Sequence, residues 1–206
     1  FKGRRCKKVY DSEKIEGHLV SSFEELLCVE QAALLRCQSA EDLSFLPDRS
    51  VDAVITDPPY FDNLQYSELA DFFYVWLRLS LKDNYTWFQP EYSSHQRELV
   101  QNEKLGKTVD FFREGIKRVF TECYRVLKED GLMILTFHHT KTWAWEALAN
   151  ALLQSGFYVA KSHIVRSEGK SGFHSSEGNI RYDAILVCRK QPAPNVRWDW
   201  HTLQDI

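Results

Sequence analysis

The stretch that most constrains the fold is residues 50–60, where an apolar run ends abruptly at two consecutive prolines. The run, residues 51–55, is short and rich in β-branched residues, which is typical of a buried strand. The residues that follow it are Asp57, Pro58, Pro59 and Tyr60. Because proline cannot donate to a sheet ladder, the chain must leave the sheet at Asp57. An acid and an aromatic ring are therefore predicted at the carboxyl end of a strand, where open α/β sheets bind ligands.

The composition favours one α/β domain with a packed core. The chain has 206 residues, of which 44% are hydrophobic and 14% aromatic, and this excludes a disordered chain. No apolar run reaches membrane-spanning length and no secretory signal opens the sequence, so we expect no membrane partner. The net charge of −3 restricts any nucleic-acid contact to a local patch. Five cysteines without a CxxC pair favour reduced thiols in the cytoplasm and disfavour a metal site.

The order of predicted elements indicates a mostly parallel sheet with an antiparallel hairpin at one edge. Helices are predicted over residues 23–37, 66–81, 108–127 and 143–154, and strands over residues 51–55, 132–137, 157–165 and 182–188. Strands joined by helices run parallel, whereas the direct join between the last two strands favours a hairpin. The aromatic face of the second helix is interpreted as core packing. The predicted irregular segments are an inserted loop at residues 82–107, a second loop at residues 168–179 and a tail at residues 191–206.

The tetrapeptide at residues 57–60 can hold a planar amino group. The Asp57 carboxylate and the Pro58 carbonyl are two acceptors, and the prolines leave Asp57 and Tyr60 little backbone entropy to lose. The ring of Tyr60 can stack on the heterocycle that carries the amine, a contact of roughly 1–3 kcal/mol per base. Hydrogen bonds to both amine protons would make the nitrogen nucleophilic toward a methyl group held in line. Such a base must be flipped out of a duplex or single-stranded.

With these residues in view, the chain resembles the amino-methyltransferases of nucleic acids, which carry an (Asp/Asn/Ser)-Pro-Pro-(Tyr/Phe/Trp) motif after a strand of a Rossmann-like sheet. It looks most like the adenine-specific DNA methylase family that includes the DUF1156-type proteins. The resemblance is carried by SAEDLSFLPDRSVDAVITDPPYFDNLQYSELADFFYVWLRLSL, YRVLKEDGLMILTFHH, TWAWEALANALLQSGF and YDAILVCRK. It implies S-adenosylmethionine as the methyl donor, and adenine N6 of a flipped-out DNA base as the acceptor.

The resemblance also implies roles for individual residues. The catalytic set is Asp57, Pro58, Pro59 and Tyr60, the cofactor-binding set is Ser39, Ala40 and Asp57, and the substrate-binding set is Tyr60, Phe61, Phe137 and His138. Asp57 and Pro58 would hold the target amine, and Tyr60 would stack on the base. Because stacking needs only the ring, Tyr60→Phe is expected to be tolerated. The pair at residues 138–139 has no further ligands at a metal-binding spacing, so we expect no metal.

The resemblance also leads us to expect a glycine-rich loop after a first strand, and this sequence does not contain one. Its nine glycines are scattered. We therefore expect this chain to be the carboxyl-terminal half of a methyltransferase domain, with the cofactor-binding half in an upstream segment or a separate subunit. Two alternatives stay open. One is a non-catalytic nucleic-acid-binding fragment or pseudo-enzyme, and the other is a methyltransferase of RNA or of cytosine N4.

Overall fold

The computed structural model of the chain describes residues 16–62, 64–93, 95–166 and 182–191. The chain divides into two compact units, residues 1–39 and residues 40–206. Among the described residues, no helix is long and apolar enough to cross a membrane.

The first unit contains two short parallel strands with a helix between them. These elements are β1 (His18–Val20), α1 (Phe23–Cys28) and β2 (Ala32–Leu34). The predicted helix over residues 23–37 is therefore wrong beyond Cys28. The helix begins where expected, since the Ser22 side chain accepts from the Glu25 amide. It ends because Val29 is extended, and Gln31 then takes a positive φ of 53° that leads into the strand.

The second unit contains a four-stranded sheet and three long helices. The elements are β3 (Val51–Thr56), α2 (Tyr66–Leu81), α3 (Val109–Val126), β4 (Leu127–Phe137), α4 (Thr142–Gln154), β5 (Phe157–Arg166) and β6 (Tyr182–Lys190). All the predicted strands and helices of this unit are present. The main difference is that β4 begins directly after α3, at Leu127, and not at residue 132 as predicted.

The strand order in this sheet is β3-β4-β6-β5. β3 pairs parallel to β4, whereas β6 pairs antiparallel to both β4 and β5. Three of the four strands therefore run in one direction, and the hairpin of the last two strands forms one edge. This arrangement confirms the predicted Rossmann-like α/β class. The loop predicted at residues 168–179 and the tail at residues 192–206 lie outside the described residues.

The hydrophobic core lies on one face of the sheet. There α3 and α4 pack against the side chains of β4 that point inward, Met133, Leu135 and Phe137, all fully buried. Thr108 caps α3 by accepting from the Phe111 amide. The opposite face is less covered by the described residues, and Ile55 on β3 is 78% exposed there.

Helix α2 has the predicted bounds, but its aromatic rings are not in the core. Phe72, Phe73 and Trp76 are each about two-thirds exposed, at 67%, 64% and 65%. The interpretation of this face as core packing is therefore wrong for the described chain. The helix instead packs by its polar side, where the single proton of Tyr74 Oη is shared between the carbonyls of Trp87 and Pro90, 3.0 and 2.9 Å away.

The segment at residues 82–107 has two single-turn 3₁₀ helices, Thr86–Phe88 and Glu103–Leu105. Its end is anchored in the core by Val100, which is 1% exposed. Glu98 ties it to the start of α2 by accepting from the Ser67 amide at 2.9 Å and the Ser67 hydroxyl at 2.5 Å. The sequence predicted irregular structure for this segment. In the structure the segment also holds the start of α2 through these hydrogen bonds.

Candidate active site

Parallel pairing of β3 and β4 brings Asp57 and Thr136 together. The register pairs Thr56 with Leu135. Leu135 points into the core, so the residues that come next, Asp57 and Thr136, point to the opposite face at the carboxyl ends of their strands. This sheet edge is where ligands bind in open α/β folds.

The Asp57 carboxylate is held by two hydroxyl groups. Tyr60 Oη and Thr136 Oγ1 each hydrogen-bond to Asp57 Oδ1, and the two hydroxyl oxygens lie 3.1 Å apart. An ionised carboxylate only accepts, so each hydroxyl gives its single proton to Oδ1. Within the described ranges, nothing donates to Asp57 Oδ2 or to the Pro58 carbonyl. Both predicted acceptors thus lack a donor among the described residues, and the Asp57 side of the pair is exposed.

The ring of Tyr60 lies over the end of β4. It meets Phe137 edge-on, with ring centroids 5.5 Å apart, and His138 at a tilt, with centroids 4.4 Å apart. Partial burial, helped by the hydrogen bond to Asp57, raises the pKa of the Tyr60 hydroxyl to about 12. Tyr60 therefore stays protonated, and remains a donor, at every physiological pH.

His138 is oriented by an acid that the sequence analysis did not identify. Its Nδ1 lies 2.5 Å from Asp183 Oδ1, and both side chains are about three-quarters buried. β6 brings Asp183 to this edge, because Phe137 pairs with Ala184 in the antiparallel register. The sequence shows Asp183 as an acid near the start of an apolar strand. Its contact with His138 could not be predicted, because it depends on the position of β6 in the sheet.

His139 has a different environment from His138. Its Nδ1 accepts from the Lys141 amide, so the hydrogen must be on Nε2, which donates to Asp62 Oδ1 at 2.9 Å. Lys141 Nζ lies 2.7 Å from the other oxygen of Asp62. The two histidines therefore bind separate carboxylates. In the part of the chain that the structure describes, no group of three or more potential ligands could hold a metal ion.

Two of the predicted substrate-binding residues lie in the core. Phe61 and Phe137 are each 0% exposed, and Phe61 packs on Phe112 and Trp143 with ring centroids 4.8 and 4.4 Å away. Neither ring has a surface that could touch a base, because both fill the space under the loop after β3. The predicted base contacts of these two residues are therefore corrected to packing roles. Tyr60 and His138 keep solvent-accessible surface.

Pro58 is buried and Pro59 is partly buried, which keeps the loop after Asp57 close to the sheet. Ser39 and Ala40, the residues predicted to contact the cofactor adenine, lie in the irregular segment after β2, at the boundary of the two units. Their cofactor role stays a prediction.

The described glycines do not form a cradle for S-adenosylmethionine. Gly17, Gly106, Gly115, Gly131 and Gly156 lie before β1, in a turn, inside α3, in the first half of β4 and after α4, and not in a turn after the carboxyl end of β3 or β4. The described residues at that edge can accept hydrogen bonds from an amine, but they do not fit the methionine end of the cofactor. An apolar cavity of ≈ 440 Å³ lies elsewhere, between α4 and the start of β5, and none of the site residues lines it.

The fold and site together define an α/β domain that presents an Asp-Pro-Pro-Tyr tetrapeptide at the carboxyl end of a strand. A family model for DNA methylases of the N6/N4 type matches residues 51–205. The chain belongs to this family of DNA methylases. No curated protein matches the chain.

Solved structures similar to the chain include three methyltransferase-like proteins. A candidate DNA modification methylase from Thermus thermophilus is 14% identical, covering 93% of this chain and 60% of its own, with a TM-score of 0.41. A SAM-dependent methyltransferase from Leishmania major is 8% identical, covering 81% and 49%, with a TM-score of 0.40. One from Methanosarcina mazei is 12% identical, covering 78% and 68%, with a TM-score of 0.41. The chain thus spans about half to two-thirds of the length of these proteins.

Proposed function

We propose that this chain is the target-amine half of an S-adenosylmethionine-dependent DNA methyltransferase, and that adenine N6 is its acceptor. The observation that carries the proposal is the Asp57 carboxylate at the carboxyl end of β3, with Oδ2 free of partners among the described residues and the Tyr60 ring beside it. Membership of the DNA methylase family supports DNA as the substrate. The four described cysteines are free thiols, which favours action in the cytoplasm.

In this proposal the protein holds one exocyclic amine in a reactive orientation. Asp57 Oδ2 and the Pro58 carbonyl accept its two protons, which directs the nitrogen lone pair away from the ring plane. The Tyr60 ring stacks on the flipped base, and His138 borders the pocket. The cofactor would supply an electrophilic methyl group. As the amine nitrogen took this methyl group, the methyl–sulfur bond of the cofactor would break and leave S-adenosylhomocysteine. The nitrogen would give up one proton, and in this proposal Asp57 is its acceptor.

We also propose that a cofactor-binding segment or subunit completes the site at the open edge of β3. Asp57 directly follows β3, which is an outer strand of the sheet among the described residues, and β4 pairs with the other side of β3. In this proposal, a methyl donor in line with an amine on Asp57 approaches from beyond that edge. The absence of a glycine-rich loop from this sequence supports the same arrangement.

The first prediction tests the transfer reaction. The full open reading frame that encodes this sequence is expressed, and host DNA is digested and analysed by mass spectrometry for N6-methyladenine and N4-methylcytosine. We expect N6-methyladenine with the wild type and none with Asp57→Ala, because the substitution removes an acceptor without removing core area. Asp52→Ala is the matched control, since Asp52 is an exposed acid on the same strand.

Each other outcome contradicts a stated part of the proposal. N4-methylcytosine or methylated RNA would contradict the adenine-N6 assignment. An Asp57→Ala variant that methylates at the wild-type rate would contradict the mechanism. No methylated product, together with no calorimetric binding of S-adenosylmethionine, would favour a non-catalytic binding protein.

A further inference from the structure

We propose that Thr136 is a positioning residue for methyl transfer, because its hydroxyl group and that of Tyr60 together fix which oxygen of Asp57 receives the target amine. This inference rests on the proposed function. Neither the motif nor the family match assigns a role to Thr136.

The position of Thr136 is determined by a strand paired on both sides. β4 lies between β3 and β6, and Thr136 pairs with Ile185 of β6. Its neighbours in sequence, Leu135 and Phe137, are both 0% exposed. A β-branched side chain also has few χ1 choices. The Thr136 hydroxyl is therefore a fixed point beside the loop that carries Asp57.

The two carboxylate oxygens of Asp57 have different hydrogen-bond partners. Oδ1 accepts from both Thr136 Oγ1 and Tyr60 Oη, while Oδ2 has no donor among the described residues. A carboxylate oxygen has two lone-pair sites, so the two hydroxyl donors occupy both sites of Oδ1 and leave both sites of Oδ2 for the protons of the amine. The incoming amine therefore hydrogen-bonds to Oδ2. The two donors to Oδ1 hold the carboxylate plane in one orientation.

Loss of the Thr136 hydroxyl should free the carboxylate to rotate about its terminal torsion. The Tyr60 ring and the Pro58 carbonyl would remain, so the base would still bind. The amine would spend less time in line with the methyl group, and this lowers the rate of transfer and not the affinity. A purely structural role for Thr136 predicts the reverse, a loss of stability with an unchanged rate per folded molecule.

The test compares Thr136→Val, which keeps the shape and removes the hydroxyl, with Thr136→Ser, which restores the hydroxyl. In the full open reading frame, we expect Thr136→Val to lower kcat about tenfold or more, with KM for DNA within about twofold. Thr136→Ser should stay within about threefold of the wild-type kcat. Thr121→Val is the control, because it removes a threonine hydroxyl that only bonds within α3. Melting temperatures identify any variant that fails to fold.

The inference is overturned if Thr136→Val keeps the wild-type kcat, or if Thr136→Ser loses as much activity as Thr136→Val. If the wild type methylates DNA, Asp57→Ala does not and Thr136→Val matches the wild type, then only this inference fails. If the wild type transfers no methyl group, the proposed function fails and the inference fails with it.

Discussion

Under the proposed function, Tyr60 would have two separable roles. Its ring contacts Phe137 and His138, and in the proposal this ring also stacks on the base. Its hydroxyl donates to Asp57, a contact that the motif alone did not suggest. The expectation that only the ring matters therefore changes, since phenylalanine would preserve the stacking surface and remove one of the two donors to Asp57.

The second prediction separates these functions. We expect Tyr60→Phe to lower kcat about tenfold or more, the range for a lost hydrogen bond to a charged group, and to leave KM for DNA nearly unchanged. Tyr60→Ala should in addition raise KM, because about 1–3 kcal/mol of stacking is lost. Steady-state kinetics of both variants with one DNA substrate would measure the separate effects on kcat and on KM.

The pH dependence provides a check on the same residue. Because the pKa of Tyr60 is about 12, the hydroxyl does not titrate between about pH 6 and pH 9. Tyr60→Phe should therefore lower the kcat profile without changing its shape in that range. A basic limb that disappears in Tyr60→Phe would contradict this assignment.

At the scale of elements, the site depends on how β3, β4 and β6 meet at one edge. The end of β4 positions Thr136 and His138, and β6 supplies Asp183. A further contact lies outside the sheet. Asp62, in the loop after β3, binds both His139 and Lys141. This contact links the loop that follows the tetrapeptide to the segment after β4.

The third prediction concerns Asp62. Burial opposes the charge, but hydrogen bonds from Lys141 and His139 hold the pKa of Asp62 below its ordinary value. The folded state therefore binds this proton less readily than the unfolded state. The stabilisation is present above the ordinary pKa, about 3.9, and is lost as the pH falls through the lower folded value.

We expect Asp62→Asn to lower the free energy of unfolding at about pH 7 and to lose less stability than the wild type between about pH 5 and pH 3. Denaturant unfolding across that range measures both effects. Asp83→Asn, at an exposed acid after α2, is the control. An equal acid-induced loss in Asp62→Asn and the wild type would show that Asp62 does not contribute.

At the scale of the whole molecule, the second unit has one packed face and one largely open face. Among the described residues, α3 and α4 cover the first, and the side chain of Ile55 and the aromatic side of α2 are each exposed. An exposed apolar patch with several large rings usually marks an interface. The cofactor-binding segment proposed above is the partner that this open side would receive.

The fourth prediction tests whether the α2 rings belong to the core of this chain. Phe73→Glu should leave the melting temperature of the chain within a few degrees, because the ring is 64% exposed. The same change at Phe120, which is 0% exposed on α3, should prevent folding. Thermal unfolding followed by circular dichroism distinguishes the two.

In the full open reading frame we expect Phe73→Glu to weaken S-adenosylmethionine binding in calorimetry, because a charge would enter the proposed interface. Unchanged binding would show that the aromatic side of α2 takes no part in completing the site.

Several features of this protein followed from the sequence because their causes are local. The bounds of α2 came from apolar spacing, and the end of β3 came from two prolines that cannot continue a sheet. The prediction from apolar spacing was wrong in the second half of residues 23–37. Apolar residues there lie at helical intervals, but some of them form the short strand β2, which pairs with β1. Strand pairing there outweighed the local pattern.

The sequence by itself determined that an acid, two prolines and a tyrosine end a strand. Only the tertiary structure decided what that acid meets, because Thr136 lies 79 residues further along the chain and its contact depends on strand order and register. The same holds for Asp183 and His138, which are 45 residues apart. Burial is also a long-range property, so the sequence placed the α2 rings in a core, and the folded chain exposes them.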